Sequence, residues 1–288
     1  MCKPILGQDT FPPSSGITRF KGNTAITEGN GIDLTLNANI RLGNFRWQPV
    51  LLFAYAQDKI KRYLTSFTTA SYLSGINPAE GKPMYSFYSY PWAGLDPQTG
   101  DPQGYLNGQV SKDYAKIIST ANRDNMVYSG PSRPPVFGAF RNTFSWKNLS
   151  LSANISYRLG YYFRRGSVSY GNTYGLGAHG DYESRWQTPG DEALTQVPSI
   201  PLATNNSRDN LYLNSEVLVD KGDHLRLQDI QLSYSMPGRL KLRNMSFYLY
   251  ANNLGILWKA APGSVDPDYA TSAWPSPATL AAGMKLNF

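Results

Sequence analysis

The chain has 288 residues and a formal net charge of +7, with 41% hydrophobic and 16% charged residues. This composition excludes wholesale disorder and allows one large or two ordinary domains. The charges are spread along the chain, so a nucleic-acid partner is not expected, and a single cysteine excludes an internal disulfide framework.

The N-terminal region shows no sign of export by itself. Its first residues lack the apolar segment of a secretory signal, so an exported protein with this sequence is expected to be part of a longer one. The sequence also has no run of about 18 uncharged apolar residues, and no helical membrane span is predicted. Residues 1–31 are expected to be irregular apart from a short strand near residues 17–20.

Alternating strands dominate the rest of the sequence. Residues 32–42 and 45–57 are predicted to form a hairpin across Gly43-Asn44. Further strands are predicted at residues 136–147, 149–159, 225–236, 245–252 and 280–288, with tight connections at Asn148 and Pro237-Gly238. Because side chains alternate along a strand, each strand has one apolar and one polar face.

The connections alternate in length. Long irregular spans at about residues 58–135, 166–216 and 254–278 separate the tight turns. Outer-membrane barrels have short periplasmic turns and long extracellular loops. A soluble sandwich with its apolar face turned inward would show the same alternation, but it gives no reason for every long loop to lie at one end. The barrel interpretation predicts lipid-facing Leu151, Ile155 and Leu249, and lumen-facing Ser152, Asn154 and Ser246.

Few residues indicate catalysis or metal binding. Six acidic loop residues could include a glycosidase pair, but most lie in turn dipeptides, where structural turns or calcium-like oxygen clusters are favoured. His179 and His224 have no zinc ligands at suitable spacing. Gly175–Gly180 fits G-x-G-x-x-G without the flanking strand and helix of a nucleotide site. The six acidic residues are Asp96, Asp101, Asp191, Glu192, Asp266 and Asp268.

Aromatic residues make up 13% of the chain, and tyrosine is the commonest of them. Tyrosine and tryptophan suit places where one end of a ring is dry and the other wet, such as a membrane interface or a carbohydrate-binding surface. Two aromatic groups could stack on sugars, although membrane-interface or loop-core packing is at least as well supported: Tyr85, Phe87, Tyr88, Tyr90 and Trp92, and Tyr161, Tyr162 and Phe163. No catalytic, cofactor-binding or metal-binding residue is predicted, and the substrate-binding residues are unknown.

Several separated motifs together resemble the C-terminal part of SusC/RagA-type TonB-dependent transporters. They are YPWAGLDP (90–97), GDP (100–102), PVFGAFRNTFSWK (135–147), RWQTPGDE (185–192), HLRL (224–227), LSY (232–234) and ANNL (251–254). The resemblance implies an outer-membrane protein of Bacteroidetes with a 22-stranded barrel and an N-terminal plug. It further implies import of oligosaccharides or peptides, powered by TonB, with a SusD-like surface lipoprotein as partner.

For this chain the resemblance implies an all-β fold. Residues 1–288 would supply about seven or eight antiparallel strands of the larger barrel, with the plug domain and signal peptide absent. Contact with TonB would then occur only through the missing N-terminal part. The chain is expected to be no enzyme, to need no cofactor and to contact outer-membrane lipid. The alternatives are a secreted or surface glycan-binding all-β module and, with no carboxylate pair to support it, a glycoside hydrolase.

The edges of such a partial sheet should be exposed. We expect an open, curved sheet with edges near residue 32 and at the final strand, and an aggregation-prone chain when the other strands are missing. The resemblance also implies that Phe288, a C-terminal aromatic residue, is recognised during insertion into the outer membrane.

Overall fold

The computed structural model describes residues 2–10, 19–64, 72–73, 79–171, 179–237, 244–270 and 274–287. The chain divides into two compact units, which we describe separately. The loop unit comprises Met1–Gly29, Asp58–Arg133 and Tyr162–Asp220. The sheet unit comprises Asn30–Gln57, Pro134–Tyr161 and Lys221–Phe288.

The main sheet is antiparallel and built from long strands. Their order in the sheet is β1-β2-β4-β9-β10-β13-β14-β15, and β3 also pairs with β4. The strands are β1 (Cys2–Thr10), β2 (Arg19–Asn37), β3 (Ile40–Leu42), β4 (Phe45–Tyr63), β9 (Val136–Trp146), β10 (Leu149–Leu159), β13 (His224–Pro237), β14 (Asn244–Lys259) and β15 (Thr279–Asn287).

Shorter elements lie between the long strands. Three two-stranded sheets pair β5 with β8, β6 with β7 and β11 with β12. Their bounds, and those of helices α1 and α2, are β5 (Ser86–Ser89), β6 (Gly104–Leu106), β7 (Gln109–Ser111), α1 (Tyr114–Thr120), β8 (Val127–Pro131), β11 (Tyr162–Arg164), α2 (Asn206–Leu213) and β12 (Val219–Lys221).

The predicted hairpins and the open sheet are confirmed. Leu42 pairs with Phe45 across Gly43-Asn44, and Trp146 pairs with Leu149 across the second tight turn. The third predicted turn falls in residues 238–243, outside the described residues. Over the described ranges, β15 pairs with β14 alone, so the sheet does not close.

The prediction for residues 1–31 was wrong. β1 pairs with the first part of β2, from Cys2 opposite Glu28 to Thr10 opposite Arg19, so β1 is the sheet edge along that part. Over the described residues, β1 does not reach the stretch near residue 32, which keeps the edge position predicted for it. Glycine and polar residues interrupt the apolar alternation of these strands, and the pattern therefore concealed them. Phe288 lies outside the described residues.

β13 lies close to its predicted bounds, whereas β14 is longer than predicted. The register between β13 and β14 shifts near Arg226 and again near Asp229, as at β-bulges. A bulge inserts an extra residue and exchanges the two faces, so strict alternation stops there. For the same reason β14 continues to Lys259, beyond the predicted end at Asn252.

The apolar face of the sheet unit is exposed. Leu151 is 41% exposed, Leu249 58% and Leu280 83%. An inward-facing sandwich would bury these side chains, whereas a barrel in a bilayer places them against lipid. β9 and β10 have 11 residues each, the length that crosses a bilayer when strands are tilted. Within the described ranges, no helix is both long and apolar enough to span a membrane.

One polar side chain on the apolar face of β9 is satisfied locally. Asn142 lies opposite Pro49 of β4, and the Trp47 indole N–H donates to Asn142 Oδ1 at 3.0 Å. Polar atoms facing lipid need such internal partners because no water replaces them. Pro49 has no backbone N–H and cannot donate a hydrogen bond to a neighbouring strand. It lies opposite the residues between β2 and β3, where that strand is interrupted.

The loop unit contains the packed hydrophobic core. One cluster joins Tyr90 to Tyr114 and Ile117 of α1 and Leu211 of α2. A second contains Val168, Tyr170, Val197, Tyr212 and Leu218. The long spans without periodicity therefore fold on a core of their own and are more than connectors between strands.

The assignment of faces predicts different tolerance to charge at neighbouring positions of β10. Leu151→Arg should lower the free energy of unfolding of the membrane-inserted protein by about 2–4 kcal/mol, whereas Ser152→Arg should cost much less. Denaturant titration in bilayers of the complete barrel measures both values. Equal losses for the two variants would contradict the assignment.

Candidate functional site

A polar cleft of about 700 Å³ lies within the loop unit. Its walls come from the turn at residues 96–101, the start of α1, the segment after a 3-10 helix at Gly180–Ser184, and α2. The lining residues that define its chemistry are Asp101, Tyr114, Arg185, Trp186, Ser199 and Arg208.

The first wall is a turn organised by Asp96. Its Oδ1 accepts hydrogen bonds from the backbone N–H groups of Gln98 at 2.9 Å and Thr99 at 3.0 Å. Its Oδ2 lies 2.7 Å from Lys112 Nζ. The pKa of Asp96 is lowered to about 2, mainly by the hydrogen bond from Lys112. Burial alone would raise this pKa, and the two backbone hydrogen bonds lower it further. Asp96 is therefore an ionised turn residue.

The central pair of the cleft is Arg208 and Asp101. The Arg208 side chain is 3% exposed, and its Nε donates to Asp101 Oδ1 at 2.8 Å. Its Nη2 donates to the backbone oxygen of Ser199 at 2.7 Å. The Asn205 side chain caps the start of α2, because its Oδ1 accepts from the backbone N–H of Arg208 at 3.0 Å. This hydrogen bond fixes the position of Arg208 in the first turn of the helix. A buried guanidinium requires such partners, so this pair holds α2 against the turn.

A close contact joins the turn to the motif at residues 185–192. Gly100 has a φ of +66°, and a Cβ there would lie 2.3 Å from the Trp186 ring, so only glycine fits. The Trp186 indole donates to Glu192 Oε2 at 3.1 Å. Asp191 Oδ2 accepts from the N–H groups of Gln187 and Thr188, both at 2.9 Å. The turn interpretation is thus confirmed for Asp191.

A second polar network lies in the sheet unit. Arg226 is 4% exposed and contacts Asp266 at 2.5 Å and Asp268 at 3.1 Å. Buried His224 lies with Nε2 3.3 Å from Asp268 Oδ2. Asn253 accepts from Arg226 Nη1 at 3.1 Å and donates to the backbone oxygen of Ser276. These contacts attach the loop after β14 to the strand ends, and a polar pocket of about 500 Å³ adjoins them.

The other residues considered from the sequence have structural roles where they are described. His179 Nδ1 accepts from the Asp181 N–H at 3.2 Å. The described residues contain no group of three or more His, Cys, Asp or Glu that could hold a metal ion. Most of the G-x-G-x-x-G segment lies outside the described residues. Four aromatic side chains that could have stacked on sugars are buried, which favours the packing interpretation: Tyr88, Tyr90, Tyr161 and Phe163.

Sequence reasoning missed the arginines that organise the loops. Arg164 donates to the backbone oxygens of Leu73 at 3.1 Å and Tyr88 at 2.8 Å, and burial lowers its pKa to about 10. Arg208 was missed as well. Both lie in non-periodic segments, and their partners are distant along the chain, so no local pattern could identify them.

The antiparallel sheet is similar to that of solved transporter structures. The chain is similar to the structure of the RagAB peptide transporter, with a TM-score of 0.73 and 22% identity over 99% of this chain and 32% of that one. For the RagAB peptide importer in the 'open-open' state the TM-score is 0.74 and the identity 23%, over 99% and 31% of the two chains. These values establish the shared fold.

Sequence comparison agrees with this fold. The chain is 25% identical to TonB-dependent receptor P26 of Formosa agariphila, over 99% of this chain and 31% of that protein. No family model matches. The resemblance to TonB-dependent transporters suggested by the motifs is confirmed, and the chain spans about a third of the length of these relatives. Their descriptions are those of a receptor and transporters, in agreement with the expectation that this chain is no enzyme.

The buried pair in the cleft predicts a selective loss of stability. Asp101→Asn leaves the Arg208 charge without its closest carboxylate and should lower the free energy of unfolding of the loop unit by about 2–3 kcal/mol. The control is Asp124→Asn, because Asp124 is 90% exposed and lies 3.8 Å from Arg123. Denaturant unfolding, followed by the fluorescence of Trp186, measures the free energy of unfolding of each variant. Equal effects would show that the buried pair is unimportant.

Proposed function

We propose that this chain forms part of the barrel of an outer-membrane TonB-dependent transporter, with extracellular loops that contact the transported substrate. The observation that carries the proposal is the exposed apolar face of the sheet unit, at Leu151, Leu249 and Leu280. A surface of this kind belongs in lipid, because contiguous apolar patches are otherwise buried or bound.

The proposed orientation follows from the connections. The tight turns after β3 and β9 lie on the periplasmic side, and the long spans that build the loop unit lie outside the cell. Residues 1–288 are proposed to be the C-terminal part of the complete transporter. The plug and the contact with TonB then belong to the remainder, since this chain spans 31% of the curated relative.

Cargo and partner are proposed by similarity. Both similar structures named above are of a peptide transporter or importer, and this supports peptides as cargo over oligosaccharides. A SusD-like surface lipoprotein is the proposed partner, because a transporter with large extracellular loops offers it a docking surface. The related 'open-open' and 'closed-closed' states show that the RagAB importer adopts more than one arrangement.

The alternative of a soluble glycan-binding module loses its main support. It rested on aromatic side chains available for stacking on sugars, and Tyr88, Tyr90 and Tyr161 are instead buried. It also leaves the exposed leucines of β10 and β14 without a role.

Detergent dependence tests the proposal. The purified chain should aggregate in plain buffer, where its apolar face and unpaired sheet edges are exposed, and should disperse in detergent micelles. Analytical ultracentrifugation in the two conditions measures this. A stable, monodisperse chain in plain buffer would contradict the barrel assignment and favour the soluble module.

A further inference from the structure

The cleft in the loop unit has more cationic than anionic side chains. Two guanidinium groups, those of Arg185 and Arg208, line it together with a single carboxylate, that of Asp101. Asp101 is already engaged, because Oδ1 accepts from Arg208 and Oδ2 accepts from the Thr99 hydroxyl at 2.9 Å. The cleft therefore carries uncompensated positive charge.

Arg185 is the source of that charge. Its Nη1 donates to the backbone oxygen of Tyr182 at 3.0 Å, and its guanidinium lies 4.3 Å from the Tyr182 ring centroid. These contacts orient the side chain without neutralising it. Across the described part of the chain, no carboxylate lies within 4 Å of this guanidinium, whereas Arg208, the other arginine lining the cleft, has two.

Two carboxylates close to Arg185 in the sequence are engaged elsewhere. Glu192 Oε2 accepts from the Trp186 indole and from the Gly190 N–H at 2.8 Å. Asp181 lies 2.9 Å from Arg165 and accepts from the Ser167 hydroxyl at 2.6 Å. Since these groups are committed elsewhere, the positive charge of Arg185 is available to a ligand.

Two further features of the wall suit an anionic ligand with apolar parts. The Tyr114 hydroxyl oxygen is buried in the wall beside Arg208. Burial raises the pKa of Tyr114, and the Asp101 charge adds to this while Arg208 opposes it, so the hydroxyl stays protonated. At the rim, Ile200 is 45% exposed and Leu202 is fully exposed, and both offer apolar contact.

We propose that this cleft binds a carboxylate group of a peptide, with Arg185 contacting the carboxylate and Ile200 and Leu202 contacting neighbouring apolar side chains. The planar guanidinium can donate two parallel hydrogen bonds to a carboxylate, which a lysine cannot do. The peptide identity of the ligand rests on the proposed function, whereas the preference for a negative charge rests on the cleft itself.

Isothermal titration calorimetry on the full 288-residue chain in detergent tests the assignment. The probes are two blocked pentapeptides, acetyl-Ala-Leu-Glu-Leu-Ala-amide and the same peptide with Gln in place of Glu, which differ only in the carboxylate. The chain should bind the Glu peptide at least about tenfold more tightly than the Gln peptide. Equal affinities, or no binding of either peptide, would overturn the proposal.

Variants identify the residue responsible. Arg185→Gln should abolish the preference for the Glu peptide while leaving the affinity for the Gln peptide unchanged, a result that misfolding could not produce. Arg123→Gln is the matched control, because Arg123 is exposed, lies outside the cleft and should keep the full preference. A preference that survives Arg185→Gln would overturn the role of Arg185.

A third probe separates the ligand class from the barrel assignment. Digalacturonate carries carboxylates on a sugar backbone and should bind more weakly than the Glu peptide. Tighter, Arg185-dependent binding of digalacturonate would overturn the peptide assignment. Neither result changes the outcome of the ultracentrifugation experiment in buffer and in detergent, which tests the barrel assignment. A wrong ligand class and a wrong proposed function can therefore be told apart.

Discussion

Alternating strands oblige this chain to remove one apolar face from water, and this constraint determines the character of the sheet unit. The leucines of β10 and β14 line a face that none of the described residues of the sheet unit covers. Backbone groups at a sheet edge impose a second constraint, because in lipid they must pair with further strands. Both constraints are met when the sheet is part of a larger closed barrel, and the relatives, about three times as long, are of the size that such a barrel requires.

The loop unit follows the opposite rule, since it buries its apolar residues and uses charges to fix its loops. Arg208 reaches Asp101, which lies 107 positions earlier in the sequence, and the contact holds α2 against the turn of Asp96. Gly100 permits the close approach of Trp186, which joins a third segment to the same place. These long-range contacts define the walls of the cleft. Arg185 lines it with no carboxylate within 4 Å among the described residues.

Local patterns predicted the strands well and the loops poorly, for a physical reason. Alternation at Leu149–Leu159 reflects the two faces of one strand and can be read without knowing its neighbours. The bulges near Arg226 and Asp229 exchange the faces, and β1 has too few apolar residues to show a pattern. The cleft depends on partners such as Arg208 and Asp101, whose pairing arises only when distant segments fold together. Turn residues such as Asp96 were the part of the site that short-range chemistry could identify.

We propose that the apolar face of the sheet unit lies in lipid while the loop unit lies in water. Trp146 is 57% exposed on the apolar face of β9, whereas Trp186 belongs to the wall of the cleft. The direct measurement is fluorescence quenching by brominated lipids in bilayers, with variants of the complete barrel in which only one of these two tryptophans is retained. Strong quenching of Trp146 and little quenching of Trp186 are expected. Equal quenching of the two, or protection of Trp146, would contradict this proposal.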